Sequence, residues 1–214
     1  MRNNFDRQLE NLNIELIKMG ALCEEAISLV AKVMENASES LRLKIFEIDS
    51  GIDEKEREIE ALCMKLLLQQ QPVAKDLREI SSALKMISDM ERIGDQASDI
   101  GEILAFIKDS GTVGKVHISD MAKATIKMVT DSVESFVHKD IDMAIAVAKY
   151  DDVVDELFKK VKSEITVLVS KDISEAEYGL DLLMIAKYFE RIGDHAVNIA
   201  EWVMYSINGI HKTF

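Results

Sequence analysis

Pairs of acidic residues spaced one helical turn apart occur at matching places in this chain, and they are the residues best suited to chemistry. Each pair has the pattern acid-x3-acid, which places both carboxylates on one side of a helix. The pairs are Asp49/Asp53, Glu91/Asp95, Asp151/Asp155 and Glu190/Asp194. Carboxylate oxygens favour hard cations such as Fe(III), Mn, Mg or Ca, and they also accept Zn. The pattern therefore predicts metal binding.

The acids are placed at the ends or edges of apolar stripes. Residues at helical spacing lead directly to Glu91 and to Glu190. The leading residues are Leu77, Ile80, Leu84 and Ile87 in the first case, and Leu183 and Ala186 in the second. The aspartate pairs instead flank the stripes Ile45, Ile52 and Ile59, and Val147, Val154 and Val161. If these segments pack as antiparallel helices, an aspartate pair faces a Glu/Asp pair in each copy.

Carboxylates brought together in this way must be neutralised. Burying one unpaired charge costs several kcal/mol, so the acids must be protonated, pair with bases or bind cations. Arg92 and Arg191 each follow a glutamate by one residue, which is expected to point them away from its face. A multivalent cation is then the favoured solution. The alternative is that the acids remain solvated at the edge of a bundle and recur only because of a duplication.

The elements that would hold these acids are long helices. The chain has 214 residues but only one proline and nine glycines, and helix-favouring residues dominate it. Periodicity and stop signals predict six helices. They run from Phe5 to Asn36, from a cap at Ser38 to Gln70, from Val73 to Lys108, from a cap at Ser119 to His138, from a cap at Asp140 to Ser170, and from a Ser174/Glu177 capping box to Gly209.

The two halves of the chain repeat one another. At an offset of 99, nine of 20 positions are identical between residues 84–103 and 183–202, including an unbroken ERIGD. Asp49-x3-Asp53-Glu54 recurs as Asp151-x3-Asp155-Glu156 at an offset of 102. The sequence predicts an all-α protein of two tandem, pseudo-symmetric three-helix bundles. The expected first repeat covers residues 1–110, the linker 111–116 and the second repeat 117–214.

Composition excludes several other classes of protein. The net charge of −13 opposes nucleic-acid binding, since phosphate backbones would be repelled. Cys23 and Cys63 lack metal or redox spacing and are expected to be small buried hydrophobes. A polar N-terminus and the lack of an apolar run of about 20 residues predict a cytoplasmic protein without a transmembrane segment. Neither a Glu-x-x-His pair nor a recognisable catalytic motif occurs, so no enzyme activity is predicted.

The repeated ERIGD, the continuation GDHAVNIAEW and the upstream PVAKDLREI closely resemble the PhoU family of accessory regulators of bacterial phosphate uptake. The resemblance extends over nearly the whole chain. It implies two similar three-helix bundles that bind metal on the acid-x3-acid motifs of the second and third helix of each unit. Iron is the metal it favours, with Zn, Mn, Mg, Ni or Ca as other candidates. Glu56 corresponds to Phe158 in the second copy, so the second site is expected to have fewer ligands or a different nuclearity.

Residues near these motifs are candidate outer ligands. They are Glu56, Asp99 and Asn198. Asp99 and Asn198 lie one further turn along their helices, and ordinary surface positions are an equally good interpretation of them.

The resemblance also implies a function and partners. Members of this family restrain the high-affinity phosphate ABC transporter and keep the phosphate-starvation two-component system off when phosphate is plentiful. The implied partners are the ATPase subunit of the transporter and the sensor histidine kinase, and a homodimer is expected. The protein would act at the inner face of the membrane through these partners. Two alternatives stay open on the residues alone: a metal-dependent enzyme that uses the carboxylates, and a metal-free helical scaffold.

Overall fold

The chain folds into six helices, as a computed structural model shows over residues 2–69, 72–107 and 116–210. The first three are α1 (Arg2–Glu35), α2 (Glu39–Gln69) and α3 (Ala74–Ile103), and we refer to them as unit 1. The last three are α4 (Ile118–His138), α5 (Ile141–Lys171) and α6 (Ala176–Asn208), and they form unit 2. The predicted all-helical class is confirmed.

Two of the predicted helix caps are present and two are wrong. The Ser38 and Asp140 side chains accept from the backbone N–H groups of Leu41 and Met143, at 3.4 and 3.0 Å. Ser119 already lies inside α4, which begins one residue earlier at Ile118. Ser174 belongs to a 3₁₀ turn, Ile173–Glu175, that Asp172 caps instead, so α6 begins only at Ala176. The Asp172 side chain, two residues before Ser174, accepts from the Ser174 backbone N–H, and the predicted capping box does not form.

The connection between the units begins earlier than the sequence predicted. Helix α3 ends at Ile103, and residues 104–106 form a tight turn in which Ala105 and Phe106 donate to carbonyls three residues back. The predicted end at Lys108 and the linker 111–116, apart from Val116, lie outside the described residues.

Helices within each unit are antiparallel neighbours. In unit 1, Lys55 of α2 lies 2.9 Å from Glu15 of α1. Gly94 of α3 faces Ile52 of α2, and Gly101, two turns later in α3, faces Ile45, two turns earlier in α2. In unit 2, α6 packs along both α4 and α5. In each unit, the helix with the aspartate pair therefore lies against the helix with the Glu/Asp pair, α2 against α3 and α5 against α6.

The units meet where α3 and α6 pack antiparallel, an interface we call the seam. Asp89 of α3 lies 2.9 Å from His195 Nδ1 and accepts from Asn198 Nδ2 at 3.0 Å. Further along α3, Asp99 accepts a hydrogen bond from Tyr188, which precedes His195 in α6. At the repeat offset of 99, the position of Asp89 corresponds to that of Tyr188, and the position of Asp99 corresponds to that of Asn198. The two polar contacts are therefore equivalent, and a pseudo-two-fold axis relates the units.

The hydrophobic core is continuous through both units. Helices α1, α3, α6 and α4 contact one another in a ring, with α2 packed outside α1 and α3, and α5 packed outside α4 and α6. Buried residues from all six helices form one cluster, which includes the predicted stripes on α2 and α5. Cys23 and Cys63 are free and buried within it, as predicted. In the parts of the chain described above, no helix is long and apolar enough to cross a bilayer.

An ion pair joins the units beside this core. Glu79 of α3 is buried, with its side chain 8% exposed, and its Oε2 lies 2.9 Å from Nζ of Lys139. Lys139 ends α4 in a left-handed conformation, with φ of 54°, which brings the chain round into α5. A charge on unit 1 is thus neutralised by the loop of unit 2.

Lys139→Met should lower the free energy of unfolding by about 1–2 kcal/mol, because it leaves the buried Glu79 carboxylate without its cation. Urea unfolding followed by circular dichroism measures the loss. Lys65→Met, at an exposed lysine without an ion pair among the described residues, is the matched control and should change little. The double variant Glu79→Met/Lys139→Met should recover part of the loss. Equal stability of Lys139→Met and the control would contradict this role.

Candidate metal site

The acids of unit 1 meet where α2 and α3 approach each other most closely. Gly94 makes that approach possible, because a Cβ atom built on it would lie only 2.8 Å from Asp49 Oδ1 and 3.0 Å from Ile52 Cδ1. Gly94 lies between Glu91 and Asp95 in α3, so Asp49 of α2 is directed at the predicted pair across the interface. We call the carboxylates of this groove, Asp49, Asp53, Glu56, Glu91, Asp95 and Asp99, cluster 1.

Unit 2 repeats this arrangement with fewer acids. A Cβ atom on Gly193 would lie 3.2 Å from Asp151 Oδ1 and 3.5 Å from Val154 Cγ1, so α5 and α6 also meet at a glycine beside an aspartate. The carboxylates here are Asp151, Asp155, Glu190 and Asp194, which we call cluster 2. The eight predicted residues thus lie on facing helices, four on α2 and α3 and four on α5 and α6.

The acids of cluster 1 raise one another's pKa values. Burial and repulsion from Asp95, Asp53 and Asp99 raise the pKa of Asp49, although a hydrogen bond from Ser98 opposes the rise. Burial, followed by repulsion from Asp95, raises the pKa of Glu91, and the neighbouring Arg92 lowers it in part. Repulsion across the interface contributes to both shifts after burial, since Asp95 of α3 acts on Asp49 and Asp53 of α2 acts on Glu91.

Crowding is strongest at Asp151 in cluster 2. Burial, followed by repulsion from Asp194, Asp155 and Glu190, raises its pKa to about 6. Partial burial and Glu190 also raise the pKa of Asp194, while the cations Lys187 and His195 oppose the rise. Folding therefore holds negative charge at these positions against an electrostatic cost.

Two cations lie nearer to the acids than the sequence predicted. Arg92 was expected to point away from Glu91, but its Nε lies 3.3 Å from Glu91 Oε2 and its Nη1 lies 2.7 Å from Asp95 Oδ2. That expectation is wrong because the long arginine side chain folds back across the helix surface. In unit 2, Lys187 forms an ion pair with Glu190. Each cluster is therefore partly neutralised by a base on its own helix.

One carboxylate oxygen of cluster 1 is buried without a hydrogen-bond partner among the described residues. Asp49 Oδ1 is buried and accepts no hydrogen bond from the described residues. A buried acceptor of this kind carries the full cost of its lost hydration, which a bound cation would remove. The oxygen-only donor set around it suits a hard metal ion. Asp49 and its neighbours therefore fit the predicted group in chemistry.

The acids are not arranged as a finished coordination shell. Over residues 2–69, 72–107 and 116–210, no three histidine, cysteine, aspartate or glutamate side chains are grouped so that they could share one metal ion. Three of the predicted ligands are instead directed at cations, namely Glu91 and Asp95 at Arg92, and Glu190 at Lys187. Metal binding would therefore require these ion pairs to open.

The difference predicted at Glu56 and Phe158 has a structural counterpart. Glu56 accepts a 3.4 Å hydrogen bond from Ser88 in unit 1. At the equivalent place in unit 2, Lys187 lies over the Phe158 ring, 5.8 Å from its centroid. An acid and a hydroxyl in one unit are thus replaced by an aromatic ring and an ammonium group in the other, which makes cluster 2 less negative.

The candidate outer ligands Asp99 and Asn198 both contact the opposite unit. Asp99 accepts from Tyr188, and Asn198 donates to Asp89. Sequence reasoning missed Asp89, Tyr188 and His195 as partners in the seam, although the repeat offset could have indicated that residues 89 and 188 are equivalent. Whether Asp99 and Asn198 also serve as outer ligands stays a prediction.

Comparisons with known proteins agree with the duplicated layout. Residues 16–104 and 118–203 each match the family model described as the PhoU domain. The phosphate-specific transport system accessory protein PhoU homolog 1 of Thermotoga maritima is 35% identical over 208 residues, which cover 96% of this chain and 90% of that protein. A PhoU homolog of Clostridium acetobutylicum is 34% identical over 97% of this chain and 96% of its own.

Two solved structures share the fold. The crystal structure of PhoU from Pseudomonas aeruginosa superposes with a TM-score of 0.86 at 32% identity, covering 96% of this chain and all of that one (100%). The phosphate transport system regulatory protein PhoU from Streptococcus pneumoniae gives a TM-score of 0.87 at 25% identity over 98% of this chain. The predicted pair of three-helix repeats is confirmed by both.

Asp151→Asn should stabilise the metal-free protein at pH 7.5. The folded state holds the Asp151 proton up to a pKa of about 6, against an ordinary value of 3.8, so ionisation weakens the fold as pH rises through this window. Removing the charge should add about 1–2 kcal/mol to the free energy of unfolding, allowing for solvent screening. Below pH 4 the advantage should disappear.

Urea unfolding at both pH values in the presence of a chelator measures this effect. Glu60→Gln, at an exposed acid outside both clusters, is the control and should change stability by only a few tenths of a kcal/mol. A gain in stability that persists unchanged at pH 4, or no gain at pH 7.5, would contradict the proposed repulsion.

Proposed function

The chain belongs to the PhoU family, and from this membership we propose that it represses high-affinity phosphate uptake as the accessory protein of a phosphate ABC transporter. The observation that carries the proposal is the match of both units to the family, with relatives named for the phosphate-specific transport system along almost the whole chain. The family consists of regulatory accessory proteins, and we assign the chain no catalytic activity.

The proposed partners are the ATPase subunit of the transporter and the sensor histidine kinase of the phosphate regulon. In phosphate-rich conditions the protein would hold the transporter inactive and keep the kinase from signalling starvation. It would act in the cytoplasm, at the inner face of the membrane, through these partners and as a homodimer. The Streptococcus pneumoniae relative is described as a regulatory protein of the phosphate transport system, which supports this direction.

We further propose that clusters 1 and 2 bind metal ions, with iron favoured over Zn, Mn, Mg, Ni or Ca. Asp49, Asp53, Glu91 and Asp95 would hold the metal in unit 1. Asp151, Asp155, Glu190 and Asp194 would hold it in unit 2. A bound cation would supply the positive charge that offsets the repulsion within each groove. The buried, unpartnered Asp49 Oδ1 and the raised pKa values of Asp49 and Asp151 support this role.

The two clusters should differ in affinity. Cluster 1 contains Glu56 and Asp99, whereas cluster 2 has the Phe158 ring and the Lys187 ammonium group at the side that corresponds to Glu56. A cation entering cluster 2 would have to displace Lys187 from Glu190, and it would gain fewer carboxylates in return. Unit 1 is therefore the proposed site of tighter binding.

Protein purified gently from its native host should contain at least about one metal ion per chain, since a tight site persists through purification. Asp49→Asn/Asp95→Asn should remove most of it, and Asp151→Asn/Asp194→Asn should remove less. Glu60→Gln/Glu177→Gln, at two exposed acids outside the clusters, is the control with the same change in charge. Elemental analysis by mass spectrometry provides the count.

The two alternatives, a metal-free scaffold and a metal-dependent enzyme, each predict a different result with the same purified proteins. Less than about one metal per chain in the wild-type protein would favour the metal-free scaffold. Robust hydrolysis of generic phosphoesters with added divalent metals, lost in Glu91→Gln and Glu190→Gln, would favour an enzyme.

Deletion of the gene should raise phosphate uptake and alkaline phosphatase expression in phosphate-rich medium, because the transporter and the kinase would lose their restraint. Radiolabelled phosphate uptake and a phosphatase assay measure the two effects. Complementation with the wild-type chain or with the Glu60→Gln/Glu177→Gln control should restore repression. Unchanged uptake and expression after deletion would refute the regulatory proposal, whatever the metal content.

A further inference from the structure

Helix α1 has a second apolar stripe that the core does not use. Leu12, Leu16 and Met19 are fully buried, as expected for the inward face. On the outward side, Ile14 and Ile17 are 45% and 47% exposed, and Ala21 continues the stripe one turn later. Residues at such i, i+3 and i+7 positions are typical of a helix surface that receives another helix.

This stripe borders a groove between α1 and α4 with a volume of about 240 Å³. Its apolar walls are Ile17 and Ala21 of α1, and Val133 and Val137 of α4. Gly20 forms the closest approach, since a Cβ atom there would lie 3.0 Å from Val133 Cγ2. The groove has room for one large aliphatic or aromatic side chain from outside.

Carboxylates lie at the rim of the groove without cations of their own. Glu24 lines it from α1 and Glu134 from α4. Neither forms an ion pair within the described residues, whereas the nearby Lys18 is already paired with Glu15 at 2.9 Å. The rim therefore offers one carboxylate from each helix without an ion pair, and the His138 side chain of α4 lines the groove beside them.

Polar residues replace part of the apolar lining of this groove at the equivalent positions of the other unit. The repeat offset of 102 matches the Ser38 cap of α2 with the Asp140 cap of α5, and it fixes the equivalent positions in α1 and α4. At those positions Ile17 becomes Ser119, Ala21 becomes Lys123 and Val137 corresponds to Glu35. Duplication alone would have produced two similar grooves, so the apolar lining is a property that one half acquired or kept separately.

We propose that this groove docks an amphipathic helix of a partner protein. A leucine- or phenylalanine-sized side chain of that helix would fill the space between Ile17 and Val133. Lysine or arginine residues about one turn to either side would pair with Glu24 and Glu134. Charge selects this occupant, because the carboxylates of Glu24 and Glu134 favour a basic helix at this groove and would repel the same two acids of a second copy.

The docking site extends the proposed function by naming the surface of this chain, and the kind of helix, through which a partner would bind. Only the identity of that partner rests on the proposed function. It does not depend on clusters 1 and 2, which lie in the grooves between α2 and α3 and between α5 and α6. Binding at the groove can therefore be tested on purified protein, separately from metal content and from repression.

The probe is a fluorescein-labelled helical peptide with leucines at i, i+3, i+4 and i+7 and lysines beside them. Its scrambled version has the same charge but no apolar face. Ala21→Trp should block the groove, with Ala61→Trp, at an exposed position on α2, as the matched control. Glu24→Gln/Glu134→Gln should remove the acidic rim, with Glu60→Gln/Glu177→Gln as the control of equal charge. Fluorescence anisotropy at several salt concentrations measures affinity.

We expect saturable binding of the amphipathic peptide that the scrambled peptide lacks. Ala21→Trp should weaken it at least tenfold. Glu24→Gln/Glu134→Gln should weaken it several-fold and flatten its salt dependence, and both control variants should bind like the wild type. The rim variant keeps the test valid if Ala21→Trp disturbs folding, which a thermal melt would reveal.

Three results would overturn the proposal. One is the lack of saturable binding up to about 1 mM peptide. Another is equal weakening by groove and control variants, which would show unspecific attraction to an acidic surface. The third is loss of a dimer in analytical ultracentrifugation on introducing Ala21→Trp but not Ala61→Trp, since the groove would then be covered by a second copy.

Discussion

Repulsion between carboxylates in two narrow helix interfaces is the interaction on which the rest of this structure depends. Gly94 and Gly193 let neighbouring helices come so close that an aspartate oxygen fills the space where a Cβ atom would be. The same closeness removes water from these oxygens and raises the pKa values of Asp49 and Asp151. Carboxylates held in such grooves cost the fold free energy unless a counter-charge is near, and perturbed pKa values of this kind are common at functional sites. Arg92 and Lys187 supply part of that counter-charge from the helix surface.

The two units differ in the groups that surround their crowded carboxylates. Unit 1 adds carboxylates at Glu56 and Asp99, and its cation comes from an arginine outside the groove. Unit 2 has a lysine that contacts both an aromatic ring and a glutamate. Divergence after duplication has thus left the backbone arrangement intact while it changed the charge of each groove. The apolar groove between α1 and α4 shows the same divergence on another surface.

Sequence patterns were sufficient for the helices and the repeat, because both follow from spacing along the chain. Ile52 and Val154 are buried where the stripes predicted them, and Asp49 and Asp151 beside them reach across to α3 and α6 at Gly94 and Gly193. Predictions failed where a choice between local partners decided the outcome. Asp172 replaced Ser174 as a cap, and Arg92 folded back onto Glu91. The single core and the polar contacts of Asp89 depend on how the two units pack together. The spacing of residues within one unit carries no information about that packing.

The pseudo-two-fold seam has an evolutionary consequence. Each unit uses two of its three helices to contact the other unit, so an isolated three-helix unit would expose much of its apolar surface. The paired contacts of Asp89 with Asn198 and of Asp99 with Tyr188 obey the symmetry of two identical partners. The seam therefore has the geometry that a self-associating half-length polypeptide would have, with the interface of such a dimer now in the interior of one molecule. Joined in one chain, the two halves can differ in sequence, which a symmetric assembly of identical subunits does not allow.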